Sequence, residues 1–549
     1  MRSWSVFSTL SLLVSGAVAR APSLPLLEPL AAEKPGFAHE ASFQQLIDHN
    51  NPDLGTFAQR YWYNDEWWKG KGAPVVLFTP GEIPAAAYTS YLTENTTTGL
   101  YARETGGAAI LLEHRYWGTS SPYQNLTTET LQYLTLEQSI ADLTHFAKTV
   151  DLPFDEDHSS NADNAPWVLT GGSYSGALAA WTESTSPGTF WAYHAASAPV
   201  EAIYDYVRDL TSFPYHSDQQ WRYFVPVQEG MPTNCSRDIN RVMEYVDYVR
   251  YAGSKRRQWH LKKMFGLEEL QHFDDFAGAL EQGPWLWQGN TFTTGYSRFY
   301  QFCDAVENVE AGAENVPGPD GVGLWKALGG YAKWFKFSYL PGTCKTSGYW
   351  EDEHSVECFN THNESIPMYT DTSPQNMFRT WLWFCCNEPF FYWQTYVVTP
   401  GIPSMKLTRN SAAPWWESTL VSRMINADFF QRKCPLLFPE VNGHTYGSAK
   451  GKTAEDVNRW TGGWSKRNTT RLLYSNGEYD PWRESGVSAT GRPGGPMESR
   501  PGQPVLVVPG GFHASDMNVR NGFVNRGVME VIETEVAQIK QWVGEYYQD

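Results

Sequence analysis

Residues 167–181, Trp-Val-Leu-Thr-Gly-Gly-Ser-Tyr-Ser-Gly-Ala-Leu-Ala-Ala-Trp, constrain this chain more than any other stretch. A short apolar run ends in two glycines, and an alanine-rich run follows, so the pattern reads strand, sharp turn, helix with Ser173 at the apex. A nucleophile on so tight an elbow needs small residues two places before and two after it. Gly171 and Ser175 meet that need, with Ser175 standing where a second glycine is usual. The helix that follows brings its N-terminal dipole and the Tyr174 N–H to the place where an oxyanion develops in acyl transfer. Two other readings of the same residues stay open: Ser175 as the nucleophile, and a glycine-rich turn with an idle serine.

A serine nucleophile needs a base, and the base needs an orienting acid. On folds with such an elbow the acid and then the histidine follow along the chain, each on a loop after a late strand. Arg471-Leu472-Leu473-Tyr474 reads as one late strand and runs into Ser475-Asn476-Gly477-Glu478-Tyr479-Asp480-Pro481-Trp482. Pro504 to Val508 reads as the next and runs into Pro509-Gly510-Gly511-Phe512-His513-Ala514-Ser515-Asp516. Asp480 and His513 therefore fall in the order the chemistry requires, with Glu478 and Asp516 as the other acids on offer. Taken singly, Asp480-Pro481 is a common turn pair, and His513 is one of 13 histidines.

Two further runs, Pro74–Phe78 and Ala108–Leu112, look like buried parallel strands bounded by Gly and Pro. Thr135 with Gln138 has the form of a capping box and opens a helix carrying Leu136, Ile140, Leu143, Ala147 and Val150. Alternating strands and helices imply a doubly wound sheet. Strand signals lapse between about 200 and 465, where helical stretches at 236–250 and 258–282 are rich in aromatics and charge. The expected architecture is an α/β-hydrolase fold: core at 41–200 and 466–549, with a mostly helical cap inserted at 201–465. Val528, Ile532, Val536, Ile539 and Val543 mark a final helix.

The N-terminus settles the compartment. Arg2, an apolar stretch from Trp4 to about Val14, and Ala17-Val18-Ala19 read as a secretory signal over 1–19, with a propeptide or arm over 20–40. No later run approaches the ~20 apolar residues of a membrane anchor. Sequons at Asn95, Asn125, Asn234, Asn363 and Asn468 agree with an extracellular glycoprotein whose cysteines can oxidise. Seven cysteines leave one thiol over, and all seven lie between Cys235 and Cys434, so any bridges staple the cap. Cys385 and Cys386 are adjacent, which suits neither a zinc site nor a mutual bridge, and no metal or other cofactor is expected. A net charge of −18 argues against nucleic-acid partners.

Together, Gly171-Gly172-Ser173-Tyr174-x-Gly176, Glu113-His114-Arg115-Tyr116-Trp117-Gly118, Asn476-Gly477-x-x-Asp480-Pro481-Trp482 and His513-x-x-Asp516 resemble the S28 serine peptidases. That family includes lysosomal Pro-Xaa carboxypeptidase, dipeptidyl peptidase II and secreted fungal acid prolyl endopeptidases, the last being the nearest in pattern. The resemblance runs from about residue 40 to the end. It implies a triad of Ser173, Asp480 and His513, cleavage on the carboxyl side of proline in peptide or protein substrates, and activity in acid. The second oxyanion donor is expected from the loop Thr79-Pro80-Gly81-Glu82, at an N–H near Gly81. Trp482 is a candidate wall for the proline ring and equally a core tryptophan. Within the cap segment Trp381–Gln394, Glu388 is a candidate for a substrate amine. Glu113-His114-Arg115 reads as support beneath the site. Competing functions are an esterase or a carboxypeptidase of another α/β-hydrolase family, which the Asp480-Pro481-Trp482 block does not suit, and a non-catalytic adhesion protein, against which an intact, correctly ordered triad speaks.

Overall fold

The computed structural model describes residues 38–203, 222–310, 313, 316–389, 418–466 and 468–548. The expected signal and most of the N-terminal arm, and Phe390–Gln394 of the cap segment, lie outside the described residues. The strand-like runs join one eight-stranded sheet: β1 (His39–Leu46), β2 (Thr56–Asn64), β3 (Val75–Phe78), β4 (Ala108–Leu112), β5 (Trp167–Gly172), β6 (Ala192–Ala196), β7 (Leu472–Gly477) and β8 (Val505–Val508). Their spatial order is β1-β2-β4-β3-β5-β6-β7-β8. The β1–β2 and β2–β4 pairs are antiparallel, and every pair from β4 to β8 is parallel. This is the α/β-hydrolase sheet.

Parallel strands with helices on both faces must be apolar throughout, and all residues of β3, β4 and β5 are buried. Helices α1 (Thr97–Thr105), α2 (Leu136–Thr149) and α3 (Tyr174–Thr185) flank the first half, and the helix Arg526–Tyr546 packs on α1 and β8. Thr135 caps α2 as expected, accepting from the Gln138 N–H at 3.1 Å. The reciprocal half of the box is absent: the Gln138 side chain turns to the Asp48 carboxylate and the His49 N–H.

Between β6 and β7 the described residues add no strand to the sheet and form helices, among them Thr233–Ala252, Lys255–Phe265, Phe273–Leu280, Arg298–Glu307, Leu324–Trp334 and Met377–Asn387. The stretch expected as one helix over 258–282 is two, because Gly266 (φ +77°) ends the first in a left-handed cap. Disulfides Cys235–Cys303, Cys344–Cys358 and Cys386–Cys434 all lie in this region. Cys385 is left as a buried thiol. Among the described residues no helix is long and apolar enough to cross a membrane.

Candidate active site

Ser173 sits at the hinge from β5 into α3 with φ +60° and ψ −132°, a conformation that L side chains rarely adopt. Its N–H donates to the Ala196 carbonyl at 3.0 Å, which ties the elbow to the end of β6. The demand for small residues is real: it falls at Gly171 as expected and, after the serine, one place later than expected, at Gly176. A Cβ on Gly171 would lie 2.3 Å from the Ser175 carbonyl oxygen, and one on Gly176 would lie 2.6 Å from that of Ala196. Position 175 tolerates a serine because its hydroxyl closes the turn, donating to the Gly172 carbonyl (2.8 Å) and accepting from the Gly172 N–H (3.1 Å). That engagement commits the Ser175 hydroxyl to the turn.

The acid and the histidine meet across the ends of β7 and β8. His513 Nδ1 lies 2.9 Å from Asp480 Oδ1, and both side chains are buried. The same carboxylate oxygen accepts from the Trp482 N–H at 2.9 Å, so the acid also caps its own turn. The other acids are committed elsewhere. Glu478 accepts from the Gly510 N–H at 2.8 Å, and Asp516 accepts from the Ser475 hydroxyl at 2.7 Å. His513 Nε2 is buried without a hydrogen-bond partner among the described residues. The close approach of the two loops requires Gly477, where a Cβ would lie 2.2 Å from the Phe512 carbonyl oxygen. The Ala514 N–H donates to Ser197 Oγ at 2.8 Å. The histidine loop and the serine elbow are thus both anchored on consecutive residues, Ala196 and Ser197, at the end of β6.

Tyr174 is the first residue of α3, and Gly81 (φ +73°) packs against it: a Cβ there would lie 2.9 Å from Tyr174 Cδ1. The expected oxyanion loop therefore abuts the elbow, although the Gly81 N–H itself donates to Thr79 Oγ1 at 3.3 Å. Glu82, which the sequence reading passed over, is the notable member of that loop. Its carboxyl is buried, and neither oxygen has a hydrogen-bond partner among the described residues. Burial holds its pKa well above the ordinary carboxyl value, so it stays neutral in acid.

Glu113-His114-Arg115 lies beneath the elbow as support. Glu113 accepts from Arg60, Ser120 Oγ and the Ala85 N–H. Arg115 forks onto Asp142. His114 Nε2 lies 3.1 Å from the Tyr174 hydroxyl, and burial pushes its pKa down to about 4.

Residues of the segment inserted between β6 and β7, the expected cap, approach the elbow and the acid and histidine loops. Phe384 and Trp381 pack on the Tyr174 ring. Trp287, also unforeseen, donates to the Tyr479 carbonyl at 2.8 Å and packs on Phe512, so one cap side chain touches both the acid and histidine loops. Trp482 is fully buried against the cap rings Tyr223 and Trp285, with its indole N–H on Gln288. Glu388 corrects the expectation of an amine-binding carboxylate: it is paired with Lys452 and accepts from the Leu136 N–H at the start of α2. A carboxylate neutralised by a lysine has nothing left to offer a substrate ammonium. Of the sequon asparagines, Asn125, Asn363 and Asn468 are exposed and Asn95 is half-buried. Asn234 is half-buried too, and the nitrogen that would carry a glycan donates to Glu307.

The sheet order and the serine-bearing elbow define an α/β-hydrolase. The comparisons narrow the class. Residues 44–269 match the family model described as "Serine carboxypeptidase S28". "Serine protease vicPa" of Bipolaris victoriae (strain FI3) is 40% identical over 95% of this chain and 92% of its own length. "Lysosomal Pro-X carboxypeptidase" of Pongo abelii is 24% identical over 92% of this chain and 88% of its own. "Probable extracellular serine carboxypeptidase" of Arthroderma benhamiae is 27% identical over 89% of this chain and 64% of its own. A solved Pyrobaculum calidifontis esterase, 11% identical, aligns over 92% of this chain and 85% of its own at a TM-score of 0.28, and no argument rests on it. The chain belongs to the S28 family of serine peptidases and is a serine-type peptidase.

Proposed function

We propose that this peptidase is secreted and cleaves peptide bonds on the carboxyl side of proline in acid, using Ser173, His513 and Asp480. The observation that carries the reading is the 2.9 Å His513–Asp480 bond, anchored with the Ser173 elbow on the end of β6. In that arrangement Asp480 fixes the proton on Nδ1 and leaves Nε2 to take the Ser173 proton as Oγ attacks the prolyl carbonyl. The leaving amine takes that proton back. Water, activated by the same Nε2, then hydrolyses the acyl-enzyme. The Tyr174 N–H at the start of α3 faces the developing oxyanion, with the second donor from the Gly81–Glu82 loop.

A neutral Glu82 supports acid activity. Below its raised pKa the carboxyl carries a proton and can donate beside the elbow. Ionised, it sets a negative charge against the oxyanion, so activity is expected to be present in acid and lost as pH rises through that pKa.

The cluster Tyr223–Trp285–Trp482 beside the acid loop supports an apolar, flat-walled pocket for the proline ring. The relative named for a Pro-X bond agrees with that choice. The core at 41–200 and 466–549, with the insertion at 201–465 covering its strand ends, remains our division of the chain. Secretion is supported by the three disulfides, by the extracellular relative and by exposed Asn125, Asn363 and Asn468 as glycan carriers.

The test is hydrolysis of terminally blocked peptides differing only in proline or alanine before the scissile bond. A fitted ring pocket predicts a kcat/KM ratio on the order of 10–200 in favour of proline. Equal rates would overturn the specificity. Cleavage of the blocked peptide would also establish action within chains, whereas cleavage only of free-ended versions would make the enzyme an exopeptidase.

A further inference from the structure

A second buried polar cluster lies on the sheet beneath the histidine loop and takes no direct part in the chemistry above. It joins His194 of β6, Ser475 of β7, Asp516 three residues beyond His513, Tyr101 of α1 and Glu535 of the helix Arg526–Tyr546. All five are buried.

The hydrogen bonds run in one direction. Ser475 Oγ donates to Asp516 Oδ2 at 2.7 Å, so it is free to accept from His194 Nε2 at 2.9 Å. That assignment puts the histidine proton on Nε2 and leaves Nδ1 to accept from the Tyr101 hydroxyl at 2.9 Å. Burial pushes the imidazole pKa down to about 4, which keeps the ring neutral although Nε2 also lies 3.5 Å from Glu535 Oε1 and 3.7 Å from Asp516 Oδ2. Among the described residues three oxygens have no hydrogen-bond partner: Asp516 Oδ1 and both oxygens of Glu535. Ligand atoms of His194, Asp516 and Glu535 lie within 4.8 Å of one another.

Two buried carboxylates this close cannot both ionise without a cation. Among the described residues, the elements packed around them supply none. Tyr101 and His194 are neutral, and Arg103, Glu104, Lys540, Arg526, Glu530 and Glu533 on α1 and the C-terminal helix are directed to solvent, Glu104 pairing with Lys540 and Arg526 with both Glu530 and Glu533. One proton held between Asp516 and Glu535 completes the hydrogen-bond accounting. A divalent metal is the competing occupant, but both nitrogens of His194 are already engaged by Tyr101 and Ser475.

We propose that Asp516 and Glu535 share one proton, and that this shared proton clamps the His513 loop to the sheet in acid and releases it as pH rises through neutrality. Asp516 is the loop's tie to β7, the strand whose following loop carries Asp480. Losing the shared proton places two like charges between the C-terminal helix and the loop, and the loop is the smaller element to move. Burial and mutual repulsion raise both carboxyl pKa values, which fixes the sign. The folded state binds more protons than the unfolded state across the range between ordinary and raised values, so stability falls as pH rises there. Glu535 is thus a positioning residue that acts through Asp516. The link to catalysis rests on His513 being the base, but the clamp itself does not, so its test avoids activity.

Glu535→Gln replaces the shared proton with a carboxamide N–H that donates to Asp516 at every pH. The full-length variant and wild type should melt at similar temperatures at about pH 5, just above the ordinary carboxyl range, and the variant should melt above wild type at about pH 8. Asp516→Asn, with the carboxamide on the other partner, should show the same divergence and guards against one variant failing to fold. In wild type alone, hydrogen exchange of amides 512–518, corrected for intrinsic rate, should lose protection between those two pH values. Parallel melting curves for both variants, or protection unchanged with pH, would overturn the clamp. A stoichiometric metal retained by purified wild type and lost in Glu535→Gln would overturn it in favour of a metal site.

Discussion

Ser173→Ala is expected to abolish peptide hydrolysis, lowering kcat by a factor on the order of 10⁶, with the far-UV circular dichroism and melting temperature close to wild type. The separation of activity from folding follows from what the residue does. Its backbone carries the structural role: the positive φ at the elbow and the N–H bond to Ala196, both of which alanine keeps. Its hydroxyl carries the chemistry. Residual turnover well above the predicted level would move the nucleophile to Ser175. That hydroxyl, however, already donates to the Gly172 carbonyl, so it would have to break the turn in order to attack. Comparing steady-state kcat with the melting temperature of the same preparation decides between these outcomes.

Asp480→Asn is the second large effect, a loss of about 10⁴ in kcat with KM little changed. An asparagine keeps the acceptor for the Trp482 N–H, so the 481–485 turn and the fold should survive. What it cannot keep is the negative charge that steadies the imidazolium formed when Nε2 takes the Ser173 proton. Because the Trp482 N–H and His513 Nδ1 share Oδ1, an amide turned the other way would also set its N–H against Nδ1 and favour the tautomer with the proton on Nε2. Activity near wild type would point to Glu478 as the orienting acid, against its existing bond to the Gly510 N–H. Single-turnover kinetics on the variant isolate the acylation step, where the loss should appear in full.

The residues named as candidate triad members were legible because their signals are local. Gly171, Gly176 and Gly477 are demanded by contacts within a few residues or between adjoining loops, and the apolar runs of β3, β4, β5, β7 and β8 contrast with their flanks. Strands β1 and β2 escaped notice because, toward the sheet edge, β1 is mostly exposed and β2 alternates exposed and buried residues, so neither has a continuous apolar run. Strand β6, Ala-Tyr-His-Ala-Ala, has weak strand formers and a histidine whose hydrogen-bond partners come from two distant segments. Glu82 was named only as part of a loop, since nothing in Pro-Gly-Glu reveals that the carboxylate would be buried without partners. Glu388 misled for the complementary reason: its lysine is 64 residues away in sequence. The cysteine pairing had the same character. Position in the chain confined the bridges to the insertion, but only packing chose Cys386 over its neighbour Cys385 for Cys434.

The central claim, a serine peptidase centred on Ser173 and dependent on His513, is tested most directly by labelling with a fluorophosphonate and locating the adduct by mass spectrometry of the digested protein. The account predicts a single adduct on Ser173, formed in wild type and lost in His513→Ala although that variant remains folded. An adduct on Ser175, or labelling of Ser173 at the same rate without His513, would contradict it.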